Sequence, residues 1–318
     1  MDKNNMIDIY DLDAPLFIAW QINAECNLGC LHCCEEAGHS MPDKLSREET
    51  FNVLKQIVDL KIPYVAFSGG EPLLHPYIFE MCEFLRKNSV NLKIETNGEY
   101  IDEEKADKML SLNLRSVQIS LDGVTPSAHE KLRLGGNWKK ATNACRLLKS
   151  KGVNIEIVFV PTKFNIHEIG QIIDFAYSLG VYGIYTGKIM RIGRAAKNWD
   201  ILCPSDQEYK TFFDTLNEKV KQYEGKMKVY FYPYDVIEEL KYRRMFPAAS
   251  LLVIPNGKVK LIGPLPFLCG DLKKQKLTQV WKNYRTSWQK PEVQEFINRL
   301  LENPKLLAES NKWIELFH

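Results

Sequence analysis

Three cysteines, Cys26, Cys30 and Cys33, fall within the eight residues CNLGCLHC in a C-x3-C-x2-C spacing. Three thiolates are one fewer than the four that usually hold an iron–sulfur cluster, so a 4Fe–4S cluster bound here keeps one iron free for another ligand. The spacing matches neither ferredoxin run, C-x2-C-x2-C-x3-C or C-x4-C-x2-C. Structural zinc normally takes two paired knuckles, and no second C-x2-C lies downstream. On spacing alone, a zinc site or a chance grouping is the alternative. Cys34 stands beside the triplet as a competing ligand.

Regularly alternating elements must position these thiols. Apolar, β-branched runs occur at Leu16–Ile22, Tyr64–Phe67, Leu92–Glu95, Ser116–Leu121, Val153–Val160 and Gly183–Tyr185. Helical patterns lie between them, near Ser46–Leu60, Pro76–Lys87, Glu103–Leu112, Trp138–Lys149 and His167–Leu179. Repeated β-then-α order predicts a parallel sheet with crossover helices. Sites in α/β barrels lie at the C-terminal ends of strands, which is where the loop after the first run puts the cysteines.

Other chemistry-bearing segments follow later strands. SGGEP, Ser68 to Pro72, has two glycines at a strand end, which allow close backbone approach and positive φ. ETNG, Glu95 to Gly98, closes the next strand, and SLDG, Ser120 to Gly123, the one after. HEKLRLGG, His129 to Gly136, then supplies Arg133, whose planar fork suits a carboxylate. Standing alone, GGEP is an ordinary turn and Arg133 a solvated helix-end charge.

In this order, the triplet, GGEP, ETNG and SLDG…HEKLR resemble the radical SAM enzymes over roughly the first 200 residues. The resemblance implies an α/β fold: a partial (β/α)6 barrel over 1–200 and a smaller α+β region over 201–318. It implies one 4Fe–4S cluster on Cys26, Cys30 and Cys33. S-adenosylmethionine chelates its free iron and is cleaved reductively to a 5′-deoxyadenosyl radical. The residue before the third family cysteine is usually aromatic; here it is His32, on the cofactor side. By the same resemblance Gly69, Gly70 and Glu71 hold the methionine amino group, Asn97 lines the cofactor pocket, and Ser120 and Arg133 contact the carboxylate. Tyr185, Lys188 and Arg191 are expected as pocket-wall residues. The electron is expected from an external flavodoxin or ferredoxin.

Beyond Cys203 the pattern changes to a helix over Asp206–Tyr223, short strands and Pro/Gly-rich turns. IPNGKVKLIG, GDL and LTQVW resemble the SPASM or twitch extension, which binds auxiliary clusters. Gly257 fits that pattern, but Ile262 stands where a cysteine belongs, and only Cys203 and Cys269 remain. Two thiolates fall short of a second cysteine-only cluster. Cys269, in GPLPFLCGDL, is expected in a loop facing the barrel mouth, where a thiol could return hydrogen to a substrate radical; Cys203 is a similar candidate, and a buried structural thiol is the alternative. Cys82 and Cys145 fall on apolar helix faces and are expected in the core.

These readings predict hydrogen abstraction from a peptide or small natural-product substrate, leading to epimerisation, dehydrogenation or cross-linking. The alternatives are maturation of a tetrapyrrole or other cofactor precursor and, outside catalysis, a zinc-binding interaction scaffold. With 25 residues before Cys26, a fused peptide-recognition domain on that side is not expected. Across 318 residues the net charge is +2, so neither nucleic acid nor an anionic membrane is expected as partner. No apolar run approaches the ~18–20 residues of a membrane span. The polar start is no signal peptide, and a cytoplasmic protein is expected.

Overall fold

The computed structural model describes residues 8–317. The polar segment over 1–7, where no signal peptide was expected, lies outside the described residues. Six βα units open the chain. The strands are β1 (Phe17–Asn23), β2 (Tyr64–Gly69), β3 (Asn91–Thr96), β4 (Ser116–Ser120), β5 (Ile155–Val158) and β6 (Gly183–Gly187). They pair in parallel in chain order. The crossovers carry α1 (Arg47–Asp59), α2 (Ile78–Lys87), α3 (Glu103–Ser111), α4 (Pro126–Leu132), α5 (Trp138–Ser150) and α6 (Ile169–Ser178).

Local sequence explains where the helices start. The Ser46 hydroxyl accepts from Glu49 N while the Glu49 carboxylate accepts from Ser46 N, so both orphan donors are satisfied. Asp102 and Asn137 cap α3 and α5 in the simpler way. The unexpected helix is α4. Thr125 caps it and Pro126 opens it, but seven residues are too few to show a helical period.

Helix faces bury Val53, Leu54, Ile57, Met81, Leu85, Ile172 and Ile173 against outward strand residues such as Ile18, Trp20, Phe67 and Ile94. Cys82 and Cys145 sit in this layer, as expected. The opposite strand face carries Gln21, Ser68, Lys93, Glu95, Gln118 and Glu156, so a row of polar side chains crosses the barrel interior.

Between β6 and the next strand come α7 (Arg194–Lys197), α8 (Trp199–Leu202) and α9 (Asp206–Gln222). After them β7 (Lys228–Tyr232) adds a seventh parallel strand beside β6, and α10 (Val236–Met245) follows. The chain then returns to the other side of the barrel. β8 (Ser250–Val253) pairs in parallel with β1. β9 (Lys258–Lys260) and β10 (Phe267–Asp271) continue antiparallel, and β11 (Ile314–Glu315) pairs in parallel with β10. One sheet of 11 strands results, ordered β11-β10-β9-β8-β1-β2-β3-β4-β5-β6-β7. The expected boundary near residue 200 therefore does not divide the sheet. Helices α11 (Leu277–Ser287) and α12 (Pro291–Glu302) close the C-terminal region. Trp281 and Tyr284 stack with centroids 5.3 Å apart, and the Trp281 indole donates to Leu12 O. Among the described residues no helix is long and apolar enough to cross a membrane.

Candidate active site

The loop after β1 carries the cysteine triplet and is held from three directions. Gly29 N and Leu31 N donate to Leu134 O and Leu132 O at the C-terminal end of α4. Arg194, opening α7, donates to Cys30 O and Ala37 O, and Asn198 donates to Leu31 O. From the C-terminal region, Asn311 donates to Cys34 O. A loop tied this way keeps its thiols in place without a regular element beneath them.

Cys26, Cys30 and Cys33 line one cavity of about 500 Å3 at the C-terminal ends of the strands. Among the described residues, no three His, Cys, Asp or Glu side chains converge where a single metal ion could sit. Three thiols lining one cavity suit a polynuclear cluster. Burial pushes the Cys26 thiol up to about 11, with the other two cysteines adding to it, and Cys30 moves in the same direction. Neutral thiols are costly to ionise here until a cationic group compensates them. Cys34 also lines the cavity, and its thiol donates to the Glu35 carboxylate at 3.4 Å.

The GGEP loop packs backbone against backbone. Gly69 has a φ of 122°, and a Cβ there would fall 2.5 Å from Asn23 O. At Gly70 a Cβ would collide with the Glu25 carbonyl. Gly70 N and Glu71 N donate to Asn23 O and Glu25 O, so these glycines seat the β2 end beside the cysteine loop, and both line the cavity. The Glu71 carboxylate also holds the loop in place. Its side chain is buried outside the cavity lining, and its carboxylate accepts from Thr96 Oγ1 at 2.7 Å, Asn97 N at 2.8 Å and Leu73 N at 3.0 Å. Glu71 thus ties the β2 loop to the β3 end. Asn97 lines the cavity and donates to Asn27 of the cysteine loop.

Ser120 lines the cavity at the end of β4, and Arg133 reaches it from the end of α4. Arg133 Nε donates to Asp122 Oδ2 at 2.7 Å, and its Nη1 lies 3.7 Å from Cys30 Sγ. His32 Nε2 lies 3.2 Å from the same Asp122 oxygen. Val160 N donates to Asp122 Oδ1. Burial alone would raise the Asp122 carboxyl, but the Arg133 guanidinium and His32 hold it well below the usual carboxylate range. The sequence motifs did not single out Asp122, because an aspartate before a glycine reads as a turn residue. Arg194 and Asn198 were missed for a different reason: both act only through the fold.

Tyr185 and Lys188 line the cavity, as expected of wall residues. Arg191 does not; its guanidinium lies over the Trp199 ring. Cys203 ends α8 with its thiol toward Pro204 O, away from the cavity lining. Cys269 corrects the sequence expectation. It lies in β10 and not in a loop, is fully buried, and its thiol donates to Val259 O at 3.4 Å. A hydrogen-donor role has no geometric basis there. The segment reads as a loop because Pro and Gly flank a strand of only five residues.

A family model of the radical SAM superfamily matches residues 20–176. Mycofactocin maturase MftC of Mycobacterium ulcerans is 32% identical over 214 residues, covering 66% of this chain and 57% of that protein. The chain therefore spans little more than half the length of that relative. AdoMet-dependent heme synthase of Methanosarcina barkeri is 24% identical over 294 residues, covering 85% of this chain and 83% of that protein. In fold, Streptococcus suis SuiB superposes with a TM-score of 0.72 at 15% identity, covering 94% of this chain and 73% of that one. By these matches the chain belongs to the radical SAM superfamily, whose enzymes use a 4Fe–4S cluster and S-adenosylmethionine.

Proposed function

We propose that the protein is a radical SAM enzyme that modifies a peptide by hydrogen abstraction, with epimerisation, dehydrogenation or cross-linking as the outcome. The observation that carries this reading is the convergence of the three thiols, Gly69, Gly70, Asn97, Ser120 and Arg133 on one cavity at the strand ends. When bound, the cluster and S-adenosylmethionine supply one-electron reductive chemistry that yields a carbon-centred radical. Cys26, Cys30 and Cys33 would hold the cluster. Arg133 and Ser120 would hold the methionine carboxylate, and the backbone at Gly69 and Gly70 its amino group. His32 and Asp122 orient Arg133, and Glu71 positions Asn97. An external flavodoxin or ferredoxin would donate the electron in a cytoplasmic setting. The C-terminal hairpin and α11 form a SPASM-like extension without a second cluster.

A peptide substrate is favoured by the likeness to MftC and by the fold shared with SuiB, one structure of which holds the precursor peptide SuiA. The second reading, maturation of a tetrapyrrole precursor, draws on the heme synthase match, which runs along most of both chains. Incubation of the reconstituted enzyme with short peptides encoded beside its gene, and separately with iron coproporphyrin, tests the two. A peptide mass change in step with 5′-deoxyadenosine is expected. Porphyrin consumption with every peptide unchanged would overturn the peptide reading.

A further inference from the structure

The barrel interior holds a row of polar side chains that the cluster and cofactor contacts do not use. Gln21 pairs with Ser68 in register, and Glu95 with Gln118 and Gln118 with Glu156. The β2–β3 register runs through Phe67 and Ile94, so its next step sets Ser68 beside Glu95. Lys93, two residues before Glu95, is the ammonium beside this row. It lies 2.8 Å from Glu156 Oε2, 2.5 Å from Gln118 Oε1 and 3.6 Å from Glu95 Oε1. Two carboxylates therefore share one cation, and Glu95 has the longer contact.

Glu95 lines the cavity, where its side chain keeps 37% exposure. Burial raises its carboxyl above the ordinary range and Glu156 adds to this, while Lys93 opposes it. An anion so placed is stabilised by a further cation. Gln21 is a second, independent sign. It is only 7% exposed, it lines the same cavity, and its side-chain amide makes no hydrogen bond among the described residues. An amide in the cavity wall with both ends unused offers a ligand one acceptor and two donors.

We propose that this floor is a substrate subsite for a cationic hydrogen-bond donor, the side-chain guanidinium or ammonium of an arginine or lysine. Glu95 supplies the counter-charge and Gln21 a second acceptor. The subsite rests on the peptide reading above, and it makes the peptide basic near its reacting residue. Arg133 and Arg194 reach the cavity from α4 and α7 and serve the thiol side, so the cation meets Glu95 on a separate wall, that of β3.

Calorimetric titration of the anaerobically reconstituted, SAM-bound protein tests this. The probes are a blocked pentapeptide with arginine between glycine pairs and its citrulline counterpart, which keeps the shape and loses the charge. The arginine peptide is expected to bind about tenfold tighter, the scale of one charge-assisted hydrogen bond. Glu95→Gln should bring the two near parity, Glu95→Asp should keep part of the preference, and Gln21→Met should reduce it. Iron content and melting temperature confirm that each variant folds. Equal binding of both peptides to the wild type, or a preference that survives Glu95→Gln, would overturn the subsite. So would weaker SAM binding in Glu95→Gln with the peptide preference intact, because Glu95 would then belong to the cofactor site. Agmatine and its neutral analogue N-carbamoylputrescine separate the two claims. A Glu95-dependent preference for agmatine without binding of either peptide would sink the peptide reading and leave the cation subsite standing.

Discussion

The guanidinium of Arg133 divides its donors: Nε is committed to Asp122 and Nη1 lies beside the Cys30 sulfur, while the residue lines the cavity. Arg133→Ala should weaken SAM binding about ten- to a hundredfold, the scale of charge-assisted hydrogen bonds, and Arg133→Lys should recover only part of it. Unchanged affinity in the alanine variant would return Arg133 to a structural role. Asp122→Asn removes the charge between His32 and Arg133. Breaking a buried pair in this way costs about 3–5 kcal/mol, readable as a lower denaturation midpoint. A loss below about 1 kcal/mol would show that the network contributes little. Arg133 was legible because its segment follows SLDG at the right place. Asp122 was not, since its partners His32, Arg133 and Val160 meet only once three strand ends are brought together.

Among the elements, the six βα units were legible because buried parallel strands read as apolar runs and amphipathic helices show their period. The structure moved most ends by one or two residues, and the fifth strand shortened to Ile155–Val158. Beyond it, the chain leaves β4 as Val160 N turns to the Asp122 carboxylate. Short elements were hidden. α4 spans seven residues, and β10 spans five between turns. That is why Cys269 was expected at the mouth. Its core position predicts that Cys269→Ala lowers stability by about 1 kcal/mol, close to the loss of one buried methylene-sized group. Iron content should stay at the wild-type level. Loss of iron in this variant would mean that the thiol is a ligand and the packing account fails.

At the scale of the whole molecule, the C-terminal region completes the sheet that β1 begins, and Asn311 reaches back to the cysteine loop. Neither contact was legible, because pairing between β8 and β1 spans more than 200 residues and has no local signature. The sequence did show that Cys203 and Cys269 are too few for a second cysteine-only cluster in this region, and the fold sets both outside the cavity lining. One cluster per chain, on Cys26, Cys30 and Cys33, is the central claim. Iron, sulfide and 5′-deoxyadenosine measured on the anaerobically reconstituted wild type and on the three single alanine variants test it most directly. The wild type should carry about four irons and four sulfides, and each variant should lose most of its iron and all 5′-deoxyadenosine formation. A colourless wild type with stoichiometric zinc, or any one variant with full iron and full SAM cleavage, would contradict the account.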